Sequence, residues 1–396
     1  MKILVLGVRG IPNVPGGVET HAEELYERIA GLGCDVEVVV RTPYVPANQT
    51  PPEGVRLRRI WAPSIPGPEA LIHSLLGVLY AGIARPDILH IHAVGPAIVT
   101  PIARLLGLHV VVTHHGPDYD RDKWGWFARL ILRAGEHAGM HYSHARIAIS
   151  KVIADLIRAH CDRGSDLIPN GTIPADMQAQ TSELERYGLT SGRYFLQVSR
   201  IVPEKRQLDL IDAYVASGQK EWKLVLVGPA DVSDYSRRVT VAAEAAGVVL
   251  AGLKKGAALK QLYSHAGGFV LPSSHEGLPI AILEALSYGL PVIASNIPAN
   301  LEIGLDADSY FPVGDLGALT HKLQRMTQTP QDEATRDARK RWVAERYDWS
   351  RIAVQTLDVY RKVLGDRPLG DKPLGAPAIA GVRAGGTAEP TGHRAP

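Results

Sequence analysis

Short runs of successive apolar residues, with no polar alternation, constrain this chain most. Lys2 to Leu6 (KILVL) and Lys223 to Val227 (KLVLV) are the clearest. A strand of that kind keeps both faces from water, which happens in parallel sheets covered by helices on each side. Val36 to Arg41, Asp87 to His92 and Val110 to Thr113 continue a first series, and helical patterns such as Val18 to Ala30 fall between them. A Pro/Gly/Asn break at Ile168 to Pro174 and a mixed stretch to about Gly192 end that series. A second series then begins, with Tyr194 to Val198, Lys223 to Val227, Val248 to Ala251, Gly268 to Leu271 and Pro291 to Ala294, and with a helix from about Glu204 to Ala216. Strand and helix in alternation mean a parallel sheet, and two series mean two. The expectation is an α/β protein with two Rossmann-like domains facing each other across a cleft, residues 1–170 and 193–345, joined by a linker at 171–192. A late helix over 346–364 can cross back to the first domain, and the Pro, Gly and Ala rich residues 365–396 read as a disordered tail.

Composition excludes several classes. The 396 residues, 45% of them apolar, suffice for two cores. With 43 Lys and Arg against 41 Asp and Glu, the formal charge is +2, so nucleic acid is not an expected partner. Cys34 and Cys161 are too few for a disulfide framework, and the chain opens on a strand rather than a signal peptide, so a cytoplasmic location is expected. The longest apolar stretch, Leu71 to Ala84, includes His73 and Ser74 and falls short of the roughly 20 residues of a membrane helix.

Ligands of open parallel sheets bind beyond the carboxyl ends of the strands, so two facing domains direct attention to the loops between them. After the run GFVLP comes SHEGLPIAILEALSYG, Ser274 to Gly289. Gly277 permits a tight turn, Pro279 suits the first helical position and Gly289 stops the helix, which leaves Glu276 in the loop and Glu284 in the helix. The unpaired N–H groups around Gly277 and Leu278 suit a diphosphate, and Glu284 suits a sugar's hydroxyl pair. On spacing alone, a surface helix with two solvated carboxylates fits equally. Arg200 and Lys205 flank a Pro-containing turn in SRIVPEKR, where they could neutralise the same diphosphate or stand as exposed cations. The opening loop GVRGIPNVPGGVET lacks G-x-G-x-x-G, which counts against a nicotinamide dehydrogenase, yet Gly16 and Gly17 precede a helix and could approach a ligand closely or serve a plain turn. Among the histidines, His90 and His92 share a strand face, His114 and His115 follow VVVT, and His137, His141 and His144 read as one helical face without a visible carboxylate or thiolate partner. A metal site is therefore not expected.

Glu276 and Glu284, with seven residues between them, resemble the E-x7-E signature of the retaining glycosyltransferases of family four, which have the two-domain GT-B fold. The resemblance covers about residues 1–364. It implies that Glu284 binds the nucleotide ribose, that Glu276 lies near the transferred sugar, and that Arg200 and Lys205 meet the donor diphosphate. Gly16 and Gly17 would close over the donor, and His115 would face the reacting sugar and acceptor. The segment THHGPDYDRDKWGWFARLILR and the opening loop resemble a bacterial subgroup acting in exopolysaccharide and O-antigen assembly, some described as rhamnosyltransferases. Where that subgroup usually runs G-L-D-W, this chain has Gly116, Pro117, Asp118 and Tyr119, and Asp118 becomes an acceptor-side candidate. The implied partners are a nucleotide sugar and a glycan or lipid-linked acceptor. No cofactor is implied, since the cationic pair can supply the charge of a metal. Trp124, Trp126 and Phe127 beside Arg121, Lys123, Arg129 and Arg133 suit the inner face of the cell membrane or, equally, an ordinary amphipathic helix packed inward. Alternative readings are a sugar-nucleotide 2-epimerase of the same fold and a non-catalytic nucleotide-sugar-binding scaffold of a polysaccharide assembly complex.

Overall fold

The computed structural model describes residues 1–65, 67–120, 125–329 and 331–366. The tail beyond 366, and Arg121, Lys123 and Trp124 of the aromatic and basic strip, lie outside the described residues. The first sheet holds β1 (Lys2–Leu6), β2 (Asp35–Arg41), β3 (Val55–Ile60), β4 (Ile88–His92), β5 (Val110–His114), β6 (Ala145–Ala148) and β7 (Asp166–Leu167), in the order β3-β2-β1-β4-β5-β6-β7. The second holds β8 (Tyr194–Val198), β9 (Lys223–Val227), β10 (Val249–Gly252), β11 (Gly268–Leu271), β12 (Val292–Ser295) and β13 (Tyr310–Phe311), in the order β10-β9-β8-β11-β12-β13. Every pairing is parallel, with Val5 opposite His90 in one sheet and Phe195 opposite Gly268 in the other. Strand order reverses between β1 and β4 and again between β8 and β11, the two places where an open sheet leaves a crevice.

The runs that read as strands are the fully covered ones: Ile3 to Leu6, Val110 to Val112 and Phe269 to Leu271 are buried. The sequence reading lacks β3, β6, β7 and β13. Strand β3 is an edge whose Arg56, Arg58 and Arg59 break the apolar run, and β6 carries Arg146 among only four residues. Strands β7 and β13 are two-residue edges. The apolar stretch Leu71 to Ala84 lies within the helix Pro68–Ala84.

After the second sheet the chain returns to the first. The helix Trp349–Leu364 starts where the Asp348 carboxylate accepts from the Arg351 amide, at 2.8 Å. Its Trp349, Ile352, Leu357 and Tyr360 pack in one cluster with Ile3, Val5, Leu25 and Val38. Trp349, fully buried, also meets the His21 ring edge-on, with centroids 5.3 Å apart. Replacing it removes the largest apolar group tying the end of the chain to the first sheet. Trp349→Ala should destabilise the protein by about 3–5 kcal/mol, seen as a lower guanidinium midpoint, and an unchanged midpoint would show that this helix docks without it.

Candidate functional site

The loops that follow β1 and β5 in the first sheet and β8 to β11 in the second open onto one cleft of about 440 Å³. That volume lies in the range of small-ligand sites. Its lining includes Gly16, Gly17, His115, Arg200, Lys205, Glu276, Gly277, Leu278 and Glu284, so these sequence candidates share one concavity.

The second domain supplies the charged side of the cleft. Helix Ile280–Ser287 follows the β11 loop; Pro279, read from sequence as the first helical position, is its N-cap, so the helix starts one residue later, and Gly289, at φ +73°, ends it. Glu284 is held by the Tyr263 hydroxyl, which donates to Oε2 at 2.9 Å. Burial raises the Glu284 carboxyl to about 7, with Tyr263 pulling the other way. In the loop, Glu276 Oε1 accepts from Lys205 Nζ at 2.5 Å. The Lys205 ammonium is thus engaged by Glu276, and its remaining two N–H donors are what it can offer a phosphate. The loops bearing them are tied where the Ser274 amide donates to the Glu204 carbonyl at 2.9 Å, and buried Gln207 donates to the Arg200 carbonyl at 2.8 Å. Arg200 Nη2 lies 3.9 Å from Glu204 Oε1, a loose pair that leaves the guanidinium on the cleft wall.

The first domain meets this side through backbone. A Cβ on Gly277 would fall inside the His115 carbonyl oxygen, so only glycine lets the β11 loop rest against the end of β5. Asn170 Nδ2 donates to the Leu278 carbonyl at 2.8 Å, and its Oδ1 accepts from His21 Nδ1 at 2.9 Å. The opening loop is braced by Arg9, whose Nε and Nη2 each lie 2.9 Å from the Glu19 carboxylate. At Gly16, with φ +153°, a side chain would strike both partners of that pair, whereas Gly17 faces open space as the first residue of helix Gly17–Gly31. Asp118 begins the turn Asp118–Asp120, half-buried and outside the cleft lining. Among the described residues, Asp118/Asp120 and Asp306/Asp308 are Asp-x-Asp pairs, a kind of carboxylate pair suited to a divalent ion against phosphate, and neither lines the cleft.

Behind His115 stands a file of buried rings. His92 Nδ1 and His115 Nε2 are 2.9 Å apart, and the Tyr26 hydroxyl lies 2.5 Å from His92 Nε2 and 2.7 Å from His90 Nδ1. His90 continues to the Tyr360 hydroxyl at 2.5 Å and to Thr113 Oγ1 at 2.7 Å. If the Tyr26 hydroxyl donates to His92 Nε2, His92 Nδ1 donates to His115 Nε2 and the His115 proton sits on its own Nδ1. Burial pushes the His90, His92 and His115 pKa values well below the ordinary histidine value and that of His21 to about 4, so His115 at the cleft and the rings behind it are neutral imidazoles. The grouping of His137, His141 and His144 on one helical face is corrected: helix Trp126–Tyr142 ends before His144, whose Nδ1 instead accepts from the Val110 amide.

Lys255, Asn170, His21 and Tyr263 were not singled out by sequence. Lys255 reaches the Asn13 carbonyl across the cleft. Its signal was present, since Lys254 and Lys255 follow a strand whose end had to face the cleft. His21, Asn170 and Tyr263 come from helix and loop positions with no such marker.

Profiles of known families meet the chain in both halves. The Glycosyl transferase 4-like domain matches residues 16–171 and the Glycosyl transferases group 1 family matches residues 181–348, together most of the chain. The chain belongs to the group 1 glycosyltransferases. A GDP-mannose-dependent alpha-mannosyltransferase of Mycolicibacterium smegmatis is 27% identical over 93% of this transferase and 99% of its own length. A GDP-mannose:cellobiosyl-diphosphopolyprenol alpha-mannosyltransferase of Xanthomonas campestris is 25% identical over 72% of this chain and 76% of its own. The fold is that of sucrose-phosphate synthase from Thermosynechococcus elongatus, with a TM-score of 0.79 at 21% identity over 92% of this chain and 99% of that one. The transferase therefore has the GT-B architecture. Family membership favours transfer over the epimerase and scaffold readings.

In the transferase Glu284 carries a cost that can be measured. Its carboxyl titrates near 7 when folded against 4.5 as the ordinary value, so the folded state holds this proton more tightly than the unfolded one. The resulting penalty is absent well below pH 4.5 and is fully present above about pH 7. Glu284→Gln, which mimics the protonated form, should stabilise the ligand-free protein by roughly 1–3 kcal/mol at about pH 8 and far less at about pH 5. Equal effects at both pH values in thermal unfolding would refute the assignment.

Proposed function

We propose that this transferase is a retaining enzyme of the family-four type, moving a hexosyl group from a nucleoside-diphosphate sugar to a hydroxyl of a lipid-linked glycan during cell-surface polysaccharide assembly. The observation that carries the reading is the convergence of Arg200, Lys205, Glu276 and Glu284 on one cleft whose other wall is His115. Breaking the anomeric bond leaves positive charge on the sugar and negative charge on the diphosphate. Arg200, Lys205 and the amides at Gly277 and Leu278 are the groups available for the latter, and a fixed donor gains most where charge develops. Glu284 accepts from the ribose hydroxyl pair and Glu276 from the transferred ring. The acceptor oxygen forms its bond to the anomeric carbon on the face the diphosphate leaves, and the acceptor's proton passes to the departing diphosphate oxygen. No protein base is then needed, and neutral His115 serves as a hydrogen-bond donor through Nδ1. The cations take the place of a divalent ion.

The mannosyltransferase relatives make GDP-mannose the first donor to test, and the subgroup resemblance makes a nucleotide-activated rhamnose the second. Incubation with donor and a lipid-linked acceptor in EDTA should give product with the anomeric configuration of the donor, seen by NMR, and added Mg²⁺ should not raise the rate. Inverted product, or turnover that depends on Mg²⁺, would sink the mechanism. In the same assay Arg200→Ala should lower turnover by roughly 10²- to 10³-fold.

A lipid-linked acceptor calls for a membrane-facing side. No described helix is long and apolar enough to cross a membrane. Helices Pro68–Ala84 and Trp126–Tyr142 cover the same face of the first sheet and expose Leu75, Leu79, Ile83, Trp126, Phe127 and Leu130, with Arg129 and Arg133 exposed on the second helix. Exposed apolar groups beside cations suit an anionic bilayer surface. The protein should sediment with phosphatidylglycerol-containing vesicles in a salt-sensitive way, and Trp126→Ala with Phe127→Ala should weaken this severalfold. Equal sedimentation of wild type and variant would remove the patch from the proposal.

A further inference from the structure

Helix Trp126–Tyr142 runs beside helix Lys151–Cys161, and their junction gathers side chains that glycosyl transfer does not use. His137 and His141 stand four residues apart, so they share a face, and their rings stack with centroids 3.9 Å apart. Cys161, the last residue of the neighbouring helix and nearly fully buried, brings its sulfur to that face. One ring nitrogen from each histidine and the cysteine sulfur all lie within 4.8 Å of one another.

The hydrogen bonds show which lone pairs are available. His141 Nδ1 lies 3.0 Å from the His137 carbonyl oxygen, so it carries the proton and donates. That leaves the lone pair on Nε2, and a backbone acceptor behind one ring nitrogen is the usual way to orient the other toward a metal. The trio His21, His92 and half-buried His115 also brings three ring nitrogens together, but His92 and His115 are hydrogen-bonded to one another. Glu136, next in sequence to His137, is engaged by His114, Tyr119 and His160.

We propose that His137, His141 and Cys161 form a binding site for a borderline-soft divalent cation of the Zn²⁺ class, with a fourth position open to water on the exposed His137 side. Two imidazoles and one thiolate suit a tetrahedral ion of this kind and suit Mg²⁺ or Ca²⁺ poorly. Binding replaces the thiol proton of Cys161 by the metal and releases that proton to solvent. Burial and the nearby Glu136 carboxylate hold the proton on the Cys161 thiol, with Arg146 and Arg163 pulling the other way, so the ion has to displace that proton. The site is separate from the transfer chemistry: it pins together two helices, one of which carries Glu136, whose Oε1 lies 2.9 Å from His114 Nε2, next to His115.

The probe is Co²⁺, added to the full chain after removal of any polyhistidine tag. One equivalent should give the intense visible bands of tetrahedral Co²⁺ and a near-ultraviolet sulfur-to-cobalt band, both displaced by Zn²⁺. His137→Ala, at an exposed position that should not disturb folding, should weaken binding at least tenfold. Cys161→Ser should abolish the near-ultraviolet band, while Cys34→Ser should leave it unchanged. Zn²⁺ should raise the melting temperature of wild type and not of His137→Ala, and transfer by His137→Ala should equal that of wild type. A weak octahedral spectrum, or a sulfur band that survives Cys161→Ser, would overturn the site.

Discussion

The contact between Gly277 and the His115 carbonyl is the constraint on which the cleft depends. Two parallel sheets each end in loops, and loops alone do not form a site; they must approach closely enough to share one. Here backbone meets backbone without an intervening side chain. The close approach places the loop with Glu276 and Leu278 directly over the strand end that carries His115. Asn170 then fixes the register by holding Leu278 from one side and His21 from the other. Around that contact, Lys255 reaches Asn13 and the Glu302 carboxylate accepts from the first amides of helix Lys151–Cys161.

The electrostatics divide along the same line. On the first-domain side, burial keeps His115 and the rings of His21, His90 and His92 behind it neutral, and each has a ring, hydroxyl or amide as its hydrogen-bond partner rather than a carboxylate. Neutral rings leave the first-domain side of the cleft without the positive charge that a row of histidines could have carried. On the second-domain wall, charges are retained but paired, Lys205 with Glu276 and Arg200 loosely with Glu204. Glu284 is the exception, a carboxyl buried against Tyr263 at a cost that a hydroxyl-bearing ligand would repay.

Much of this was legible in the chain. Fully covered strands such as Lys2–Leu6 and Lys223–Val227 declare themselves because both faces are apolar, whereas Val55–Ile60 carries three arginines, and two-residue edges such as Asp166–Leu167 are too short to show a pattern. The paired glutamates and the Arg200 and Lys205 turn could be seen because each lies in a short local motif. Tyr263 could not, since it reaches Glu284 from a different helix, 21 positions away. His21 and Asn170 are 149 positions apart and meet only through the fold. Cys161 was invisible as a partner for His137 and His141 for the same reason: spacing along one helix says nothing of the end of the next.

By itself, then, the sequence determined the alternation of buried strands and helices, the division into two sheets, and the identity of the local motifs at strand ends. These follow from periodicity and turn chemistry, which act over a few residues. Tertiary structure alone decided which strand ends meet, that Lys205 rests on Glu276, that Glu284 is desolvated to a carboxyl titrating near 7, and that four histidines line up neutral behind the cleft. Those properties depend on distance and exclusion of water between residues remote in the chain, and neither quantity exists until the two domains have packed.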